Sequence, residues 1–323
     1  MNAGLQQSIP LPKAVKSRGK PRSSNSWRQW GPGLLLLSPS IVLVGIFVYG
    51  LIGSNIFMSL RDNHSAAQLN GTKPVKMVWF ENFAALFANP DFQHSLKNLL
   101  VFTVMFLMGT LLIGFLWAWL MDKPIKGEGI FRSIFLFPMA VSFIASGVVW
   151  RWLLNPGMDN SASGLNRLFQ MVGLDFLQNK WTASPNWAIL AICVAAIWQL
   201  SGYVMALFLA GFRGIPDDLR EAARVDGANE WQLYRSIIFP QLAPVALSAV
   251  IIIAHMSLKS FDLIISITNQ TWYPTKVPAI DMYNFMTVND HSMAAAVGTV
   301  LLVIVAVFVV PYLYHDAKGA KQR

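Results

Sequence analysis

The chain has 323 residues, of which 54% are hydrophobic and 13% charged, about half the charged fraction of roughly 25% in an ordinary soluble domain. That is the composition of a membrane protein, and the even spacing of its apolar runs leaves little sequence for a separate globular core. The lone Cys193 excludes a disulfide framework within the chain and a cysteine-based zinc cluster, while the net charge of +9 suits nucleic acid, an anionic surface or the flanks of spanning helices until its positions are considered.

Residues 1–33 carry Lys13, Lys16, Arg18, Lys20, Arg22 and Arg28 with no acid, among Pro, Ser and Gly. Such a stretch buries too little to fold and reads as a disordered basic tail. The run Leu34–Leu60 is too long for the core of a cleaved signal peptide and reads as an uncleaved first span. Further apolar runs cover Asn98–Met121, Ile130–Leu153, Trp187–Phe212, Leu242–Ile267 and Met293–Tyr314. Each holds about the 20 residues a bilayer crossing needs, so the expected fold is an all-α integral membrane protein of six transmembrane helices over 34–314. Pro138 should kink the third span, freeing a backbone carbonyl toward a cavity or only adjusting packing.

Lys and Arg stay preferentially in short cytoplasmic segments. With the N-terminus inside, the inner segments hold the tail cations, Lys123, Lys126, Arg132, Arg213, Arg220, Arg224, Arg235, Lys318, Lys321 and Arg323. The outer ones hold Arg61, Lys73, Lys76, Lys97, Arg151, Arg167, Lys180 and Lys276, a two-to-one bias that makes both termini, including 315–323, cytoplasmic. Topology thereby accounts for the positive charge, and no nucleic-acid partner is needed. The outer loops, 61–97, 154–186 and 268–292, contain Trp79, Phe80, Trp181 and Trp272, which serve either as interfacial anchors or as docking contacts for an outside partner.

Between the fourth and fifth runs lies Ile215-Pro216-Asp217-Asp218-Leu219-Arg220-Glu221-Ala222-Ala223-Arg224-Val225-Asp226-Gly227. Pro216 suits a first helical position and the two aspartates face the positive end of the helix dipole. The narrow stripe of small residues suits close approach to another protein and cannot hide in a bilayer. Gly227 ends the turn, and a second short helix from about Asn229 should stop before Pro240.

This segment resembles the EAA loop of the membrane subunits of binding-protein-dependent ABC importers. The family pattern is Glu-Ala-Ala, three residues, Gly, nine residues, Ile, one residue, Leu-Pro; here it is Glu221-Ala222-Ala223, Gly227, Ile237, then Phe239-Pro240, with Phe239 in place of Leu. The resemblance implies a type I importer permease fold with coupling helices at 216–240 that dock in a groove of a separate ATP-binding subunit. Glu221 would be the main charged contact, Ala222 and Ala223 the close approach, Gly227 the bend, and Arg220, Arg224 and Asp226 the charged rim. The other reading of the segment is an amphipathic linker on the membrane surface. No Gly-x-x-x-x-Gly-Lys-Ser/Thr loop, His-Glu-x-x-His or Gly-x-Ser-x-Gly pattern occurs. The chain is therefore expected to have no catalytic residue, metal or cofactor of its own, with ATP and Mg held by partner subunits.

The stretch Ile253–Ile264, then Pro278-Ala279-Ile280-Asp281-Met282-Tyr283 and the ending Val310-Pro311-Tyr312-Leu313-Tyr314, look like carbohydrate permeases of the maltose-transporter type. They are most similar to the branch serving glucose, mannose and small glucosides. Family members often have a Gly-rich stretch after the fifth span; this chain has Asn269-Gln270-Thr271-Trp272-Tyr273-Pro274, which implies a different outer gate or docking surface.

Sugars are held by aromatic faces and by amides or charges that satisfy hydroxyls. Candidates along such a path are Trp198, Gln199 and Tyr203, the last two on one helix face. Trp150, Trp152 and Asn155 end the third span, and His255, Lys259 and Asp262 form a stripe on the fifth. Ionisable groups at membrane depth cost about 2.5–3.5 kcal/mol, so this stripe should face the bundle interior or a wet cavity. Lys259 and Asp262 either pair near the outer interface or touch solute, and the tryptophans either anchor or stack.

The leading expectation is one of two permease subunits of an ATP-driven sugar importer in a bacterial inner membrane. Its partners would be a pair of ATP-binding subunits, a second permease, an extracytoplasmic sugar-binding protein and membrane lipid. The alternative is an ion-coupled secondary sugar transporter or channel using His255, Lys259 and Asp262 as a proton relay. A membrane-embedded enzyme would need a cluster of nucleophile, base or metal ligands, which the sequence lacks.

Overall fold

A computed structural model describes residues 26–123, 125–268 and 273–320. Lys13, Lys16, Arg18, Lys20 and Arg22 of the expected tail, residues 269–272 of the last outer loop, and Lys321 and Arg323 lie outside the described residues. The chain divides into two compact units, 1–53 and 54–323. In the first, helix α1 (Ser26–Val44) begins inside the stretch expected to be tail and is followed by a π-turn at Gly45–Gly50. Helix α2 (Leu51–Ser59) continues it.

In the second unit, α3 (Ala66–Leu69) and α4 (Glu81–Ala88) lie in the first of the loops expected to be outer. Helix α5 (Pro90–Met121) starts eight residues before the expected span because Asn89 caps it, its side chain accepting from the Asp91 N–H at 2.9 Å, with Pro90 in the first turn. The third run is not one helix. It forms α6 (Glu128–Ala140) and α7 (Phe143–Leu153), bent by 96° at Val141–Ser142. Pro138 sits in the last turn of α6, and the Ser142 hydroxyl caps α7 by accepting from the Ala145 N–H at 3.2 Å. A proline and a new N-cap four residues apart turn the expected kink into a break.

Helix α8 (Gly164–Met171) lies in the 154–186 loop, organised around Asn166. The Asn166 amide donates to the carbonyls of Asn155, Gly157 and Asn179, and its oxygen accepts from the Trp181 indole at 2.7 Å. Helix α9 (Ala188–Arg213) is the centre of the bundle: 67% of its most apolar window is buried, against 28% for α5. Close packing there depends on Gly202, where a Cβ would collide with the backbone carbonyl of Phe135 on α6. Small residues at such crossings are what lets backbones approach in a bilayer, where lipid competes for every apolar face.

Beyond α9 come α10 (Asp217–Val225), α11 (Glu230–Leu233) and α12 (Phe239–Leu258). The expected stop before Pro240 does not occur. Tyr234–Ile238 form a π-turn in which the Phe239 N–H bonds the Tyr234 carbonyl, so helix runs from Glu230 to Leu258 as one apolar span. A turn widened in this way accommodates Pro240, which has no N–H and whose ring crowds the carbonyl four residues back.

The fifth run ends early instead. Lys259 closes α12 with its N–H on the Met256 carbonyl, and α13 (Phe261–Ile267) restarts after Ser260. Helices α14 (Pro278–Thr287) and α15 (His291–Ala320) complete the chain. Among the described residues four helices are long and apolar enough to cross a membrane, or five with the bent α6–α7 pair. The third run is a bent pair, and α15, whose apolar stretch His291–Val307 lies at its start, runs on to Ala320.

Candidate functional site

The expected site residues fall into two groups, one at the loop after α9 and one that includes the middle of α9. At one end is the loop that carries α10. Pro216 stands just before the helix rather than inside it, and Asp217 and Asp218 fill the first turn. The helix ends in a Schellman motif, with the Ala228 N–H on the Ala223 carbonyl at 2.9 Å, the Gly227 N–H on the Arg224 carbonyl at 3.1 Å, and Gly227 at φ +82°. The next turn is closed by reciprocal bonds of 2.9 Å between Asn229 and Gln232, each side chain accepting from the other's backbone N–H. The bend at 227 is therefore defined on both sides.

Helical spacing sorts the EAA residues onto different faces. Asp218, Glu221, Ala222 and Val225 are exposed, with Val225 87% accessible, and Glu221 has no hydrogen bond or ion pair among the described residues. Ala223 points the other way, into the buried cluster that includes Phe212, Leu233 and Ile238. Of the pair expected to permit close approach, Ala222 is outward and Ala223 belongs to the core. Asp226 is exposed, and Arg224 reaches across the bend to Glu230 at 3.1 Å on the open surface.

Arg220 is not on an outward rim. Its guanidinium donates to both oxygens of Asp122, at 2.7 and 3.4 Å, and to the Phe212 carbonyl at 2.9 Å. The Asp122 bond and charge push the guanidinium above the ordinary arginine range, against the opposing effect of burial. Sequence reading missed Asp122, yet a signal was present: an acid at the C-terminal end of a helix opposes the dipole and calls for a cation. Nearby, Glu128 accepts from Arg132 at 3.0 Å and from Arg213 at 2.5 Å, tying α6 to the end of α9. A cavity of about 260 Å³ beside this loop is lined by Phe115, Trp119, Trp231, Tyr234 and Phe239, with Lys123 and Glu230 at its edge.

At mid-bundle, Trp198 and Trp150 meet edge to face, 5.8 Å between ring centres at 67°. Gln199 is buried on a different face, its amide donating to the Val141 carbonyl at 2.8 Å. This is the carbonyl released at the α6–α7 break. Tyr203 packs against the main core cluster. The Trp150-Arg151-Trp152 triplet divides: Trp152 is exposed, and Arg151 donates to the Ile265 and Ile267 carbonyls, which closes the end of α13. Asn155 serves its loop, accepting from the Gly157 N–H at 2.9 Å.

His255, Lys259 and Asp262 do not form a stripe, because the break at 259–260 places Asp262 in the first turn of another helix. Lys259 and Asp262 are both exposed and share no ion pair among the described residues. The buried acid is elsewhere, at Asp281, which lies 2.9 Å from the half-buried Lys276; Lys276 is also 3.6 Å from the exposed Asp91. Burial pushes the Asp281 carboxyl above the ordinary range and the Asp91 charge adds to this, while Ser95 and Lys276 draw it back. Asn98 fixes the same strand of chain by donating to the Pro274 and Lys276 carbonyls at 3.0 and 2.9 Å.

Residues 110–318 match the family described as "Binding-protein-dependent transport system inner membrane component". A probable ABC transporter permease protein of Pyrococcus horikoshii is 39% identical over 292 residues, covering 90% of this chain and 97% of that protein. The xylose/arabinose import permease protein of Haloferax volcanii is 33% identical over 280 residues, covering 86% of this chain and 85% of the other. Among solved structures, a chain of a bacterial alginate ABC transporter in complex with an alginate pentasaccharide-bound periplasmic protein superposes with a TM-score of 0.73 at 24% identity, covering 89% of this chain and 95% of that one. At that identity the superposition speaks for the fold.

Proposed function

Because the chain belongs to the family of binding-protein-dependent transport system inner membrane components, we propose that it is one of two permease subunits through which an ATP-driven importer passes a sugar into the cytoplasm by alternating access. The chain is a membrane subunit of the inner membrane and not an enzyme; ATP hydrolysis belongs to a separate subunit. The observation that carries the mechanistic reading is the exposed face of α10, where Glu221 has no hydrogen bond or ion pair among the described residues beside Ala222 and Val225. Such a face, bounded by a left-handed glycine, suits docking in a groove of an ATP-binding subunit and transmission of a rigid-body movement. Both termini and this loop would then be cytoplasmic. The partners are a pair of ATP-binding subunits, a second permease and an extracytoplasmic sugar-binding protein, with lipid around the bundle.

A sugar is the substrate class most consistent with the relatives and with the aromatic Trp150–Trp198 pair. Within that class, glucose, mannose and small glucosides are the finer reading, which rests on the likeness of 253–264 and 278–283 to that branch. The ion-coupled alternative has lost its main support, since no continuous stripe links His255, Lys259 and Asp262.

The test is co-purification from native membrane in mild detergent, followed by ATPase assay with binding protein and glucose, mannose, maltose or xylose. An ATP-binding subunit and a second permease should come down with the chain, and one of these sugars should stimulate hydrolysis. Glu221→Lys should abolish uptake while the protein still inserts. Unaltered uptake in that variant would remove Glu221 from the coupling role, and ATP-independent uptake by the chain alone would overturn the importer reading.

A further inference from the structure

The loop that carries α10 is attached to the bundle by backbone that bends on both sides, at Gly214–Pro216 before it and at Gly227 after it. A docking helix held only by such joints would pivot when pushed. Something must convert a push on α10 into motion of the spans, and the side chains around it can be compared for that task. Arg224–Glu230 joins α10 only to α11 and is more than half exposed at both ends, a setting in which an ion pair contributes little. The Arg132–Glu128–Arg213 group ties α6 to α9 and does not touch α10.

Arg220 differs in both respects. Its side chain is 16% exposed and that of Asp122 6%. One planar guanidinium joins three elements: α10, which carries it; Asp122, just after the last residue of α5; and Phe212, in the last turn of α9. The forked contact fixes orientation as well as distance, which a lysine could not do. The Phe212 carbonyl also accepts from the Ile215 N–H at 3.3 Å, so the guanidinium adds a second donor at the end of α9.

We propose that Arg220 is a positioning residue: with Asp122 and the Phe212 carbonyl it forms a strut that makes α10 and the adjoining ends of α5 and α9 one rigid body, so that ATPase closure is delivered to those two helices. The inference rests on the reading of α10 as the docking helix. It divides the EAA segment by face, Glu221 and Ala222 meeting the partner while Arg220 carries the displacement inward.

The experiment uses the complete importer in nanodiscs, with nitroxide labels at Leu120→Cys on α5 and Asp217→Cys in the first turn of α10. The distance between them is measured with and without ATP and vanadate. With the strut intact the distance should shift by less than about 2 Å, the scale of packed helix adjustments. Asp122→Asn leaves the docking helix unchanged; it should keep the ATP-binding subunits bound yet broaden the distance distribution about twofold, the guanidinium having lost its charged partner. The exchanged pair Asp122→Arg with Arg220→Asp should narrow it again. An unchanged distribution in Asp122→Asn, no recovery in the exchanged pair, or loss of the ATP-binding subunits from Asp122→Asn would each overturn the strut. Absence of ATP-binding subunits from the unaltered chain would overturn the docking reading and the strut with it.

Discussion

The Gln199 side-chain amide donates to the Val141 carbonyl at 2.8 Å, so the central helix closes the gap that opens where α6 ends and α7 begins. Few arrangements are available to such a carbonyl, because hydrocarbon offers no donor and each unsatisfied backbone group must be met from within the protein. Gln199→Leu removes the donor and nearly preserves volume. It should lower stability by about 1–3 kcal/mol, seen as a lower melting temperature in detergent. A melting temperature equal to the parent's would mean that water or lipid headgroups reach Val141.

Gly202→Ala should be worse than its single methyl suggests. The new Cβ would meet the Phe135 carbonyl, which is backbone and not the movable end of a side chain. Overpacking of this kind costs about 1–3 kcal/mol or more. Reduced recovery of monodisperse protein is the expected outcome, and an Ala variant that purifies like the parent would show that α6 stands farther from α9.

At the end of α10 two neighbouring changes should behave differently. Gly227→Ala places a side chain at φ +82°, a conformation that costs an L-residue about 1–2 kcal/mol. Arg224→Ala removes only an exposed ion pair, so its effect on stability should stay below about 1 kcal/mol. Uptake per unit of inserted protein should fall in the first and hold in the second.

The end of the bundle near α14 should report pH through Asp281. Its folded-state pKa is raised above the ordinary 3.8 by burial. The native state therefore binds this proton more tightly than the unfolded chain, and the associated stability is present at low pH and lost as pH rises through the folded pKa. Asp281→Asn should remove that component, so the melting temperature of the variant should vary less with pH just above 3.8. Parallel pH profiles for the two proteins would assign the dependence to another group.

Much of this could be read from the sequence where a residue acts through its own backbone. Pro138 announced a disturbance in the third run, Gly227 a bend, and the EAA spacing the loop between the fourth and fifth runs. What the sequence hid were partnerships at long range. Nothing local to Gln199 indicates that its partner is Val141, 58 positions away, or that Arg220 faces Asp122 and not an outside protein. The break at Lys259–Ser260 escaped because apolar composition continues on both sides of it, and hydropathy measures length without seeing direction. At Pro240 the error was the reverse: a residue that usually ends a helix was accommodated by a wider turn.

That wider turn, Tyr234–Ile238, also changes how the chain tolerates alteration in length. In a regular α-helix each residue advances about 100° around the axis, so removing one rotates everything downstream to a new face. A π-turn already contains one residue more than the regular winding holds. Deleting a residue between 234 and 238 would return the turn to ordinary pitch and leave the faces of α11 and α12 in their present alignment, at the cost of the room now given to Pro240. The base of this span is thus a natural point for one-residue insertion and deletion among related chains, and such changes are expected to be paired with loss or gain of the proline.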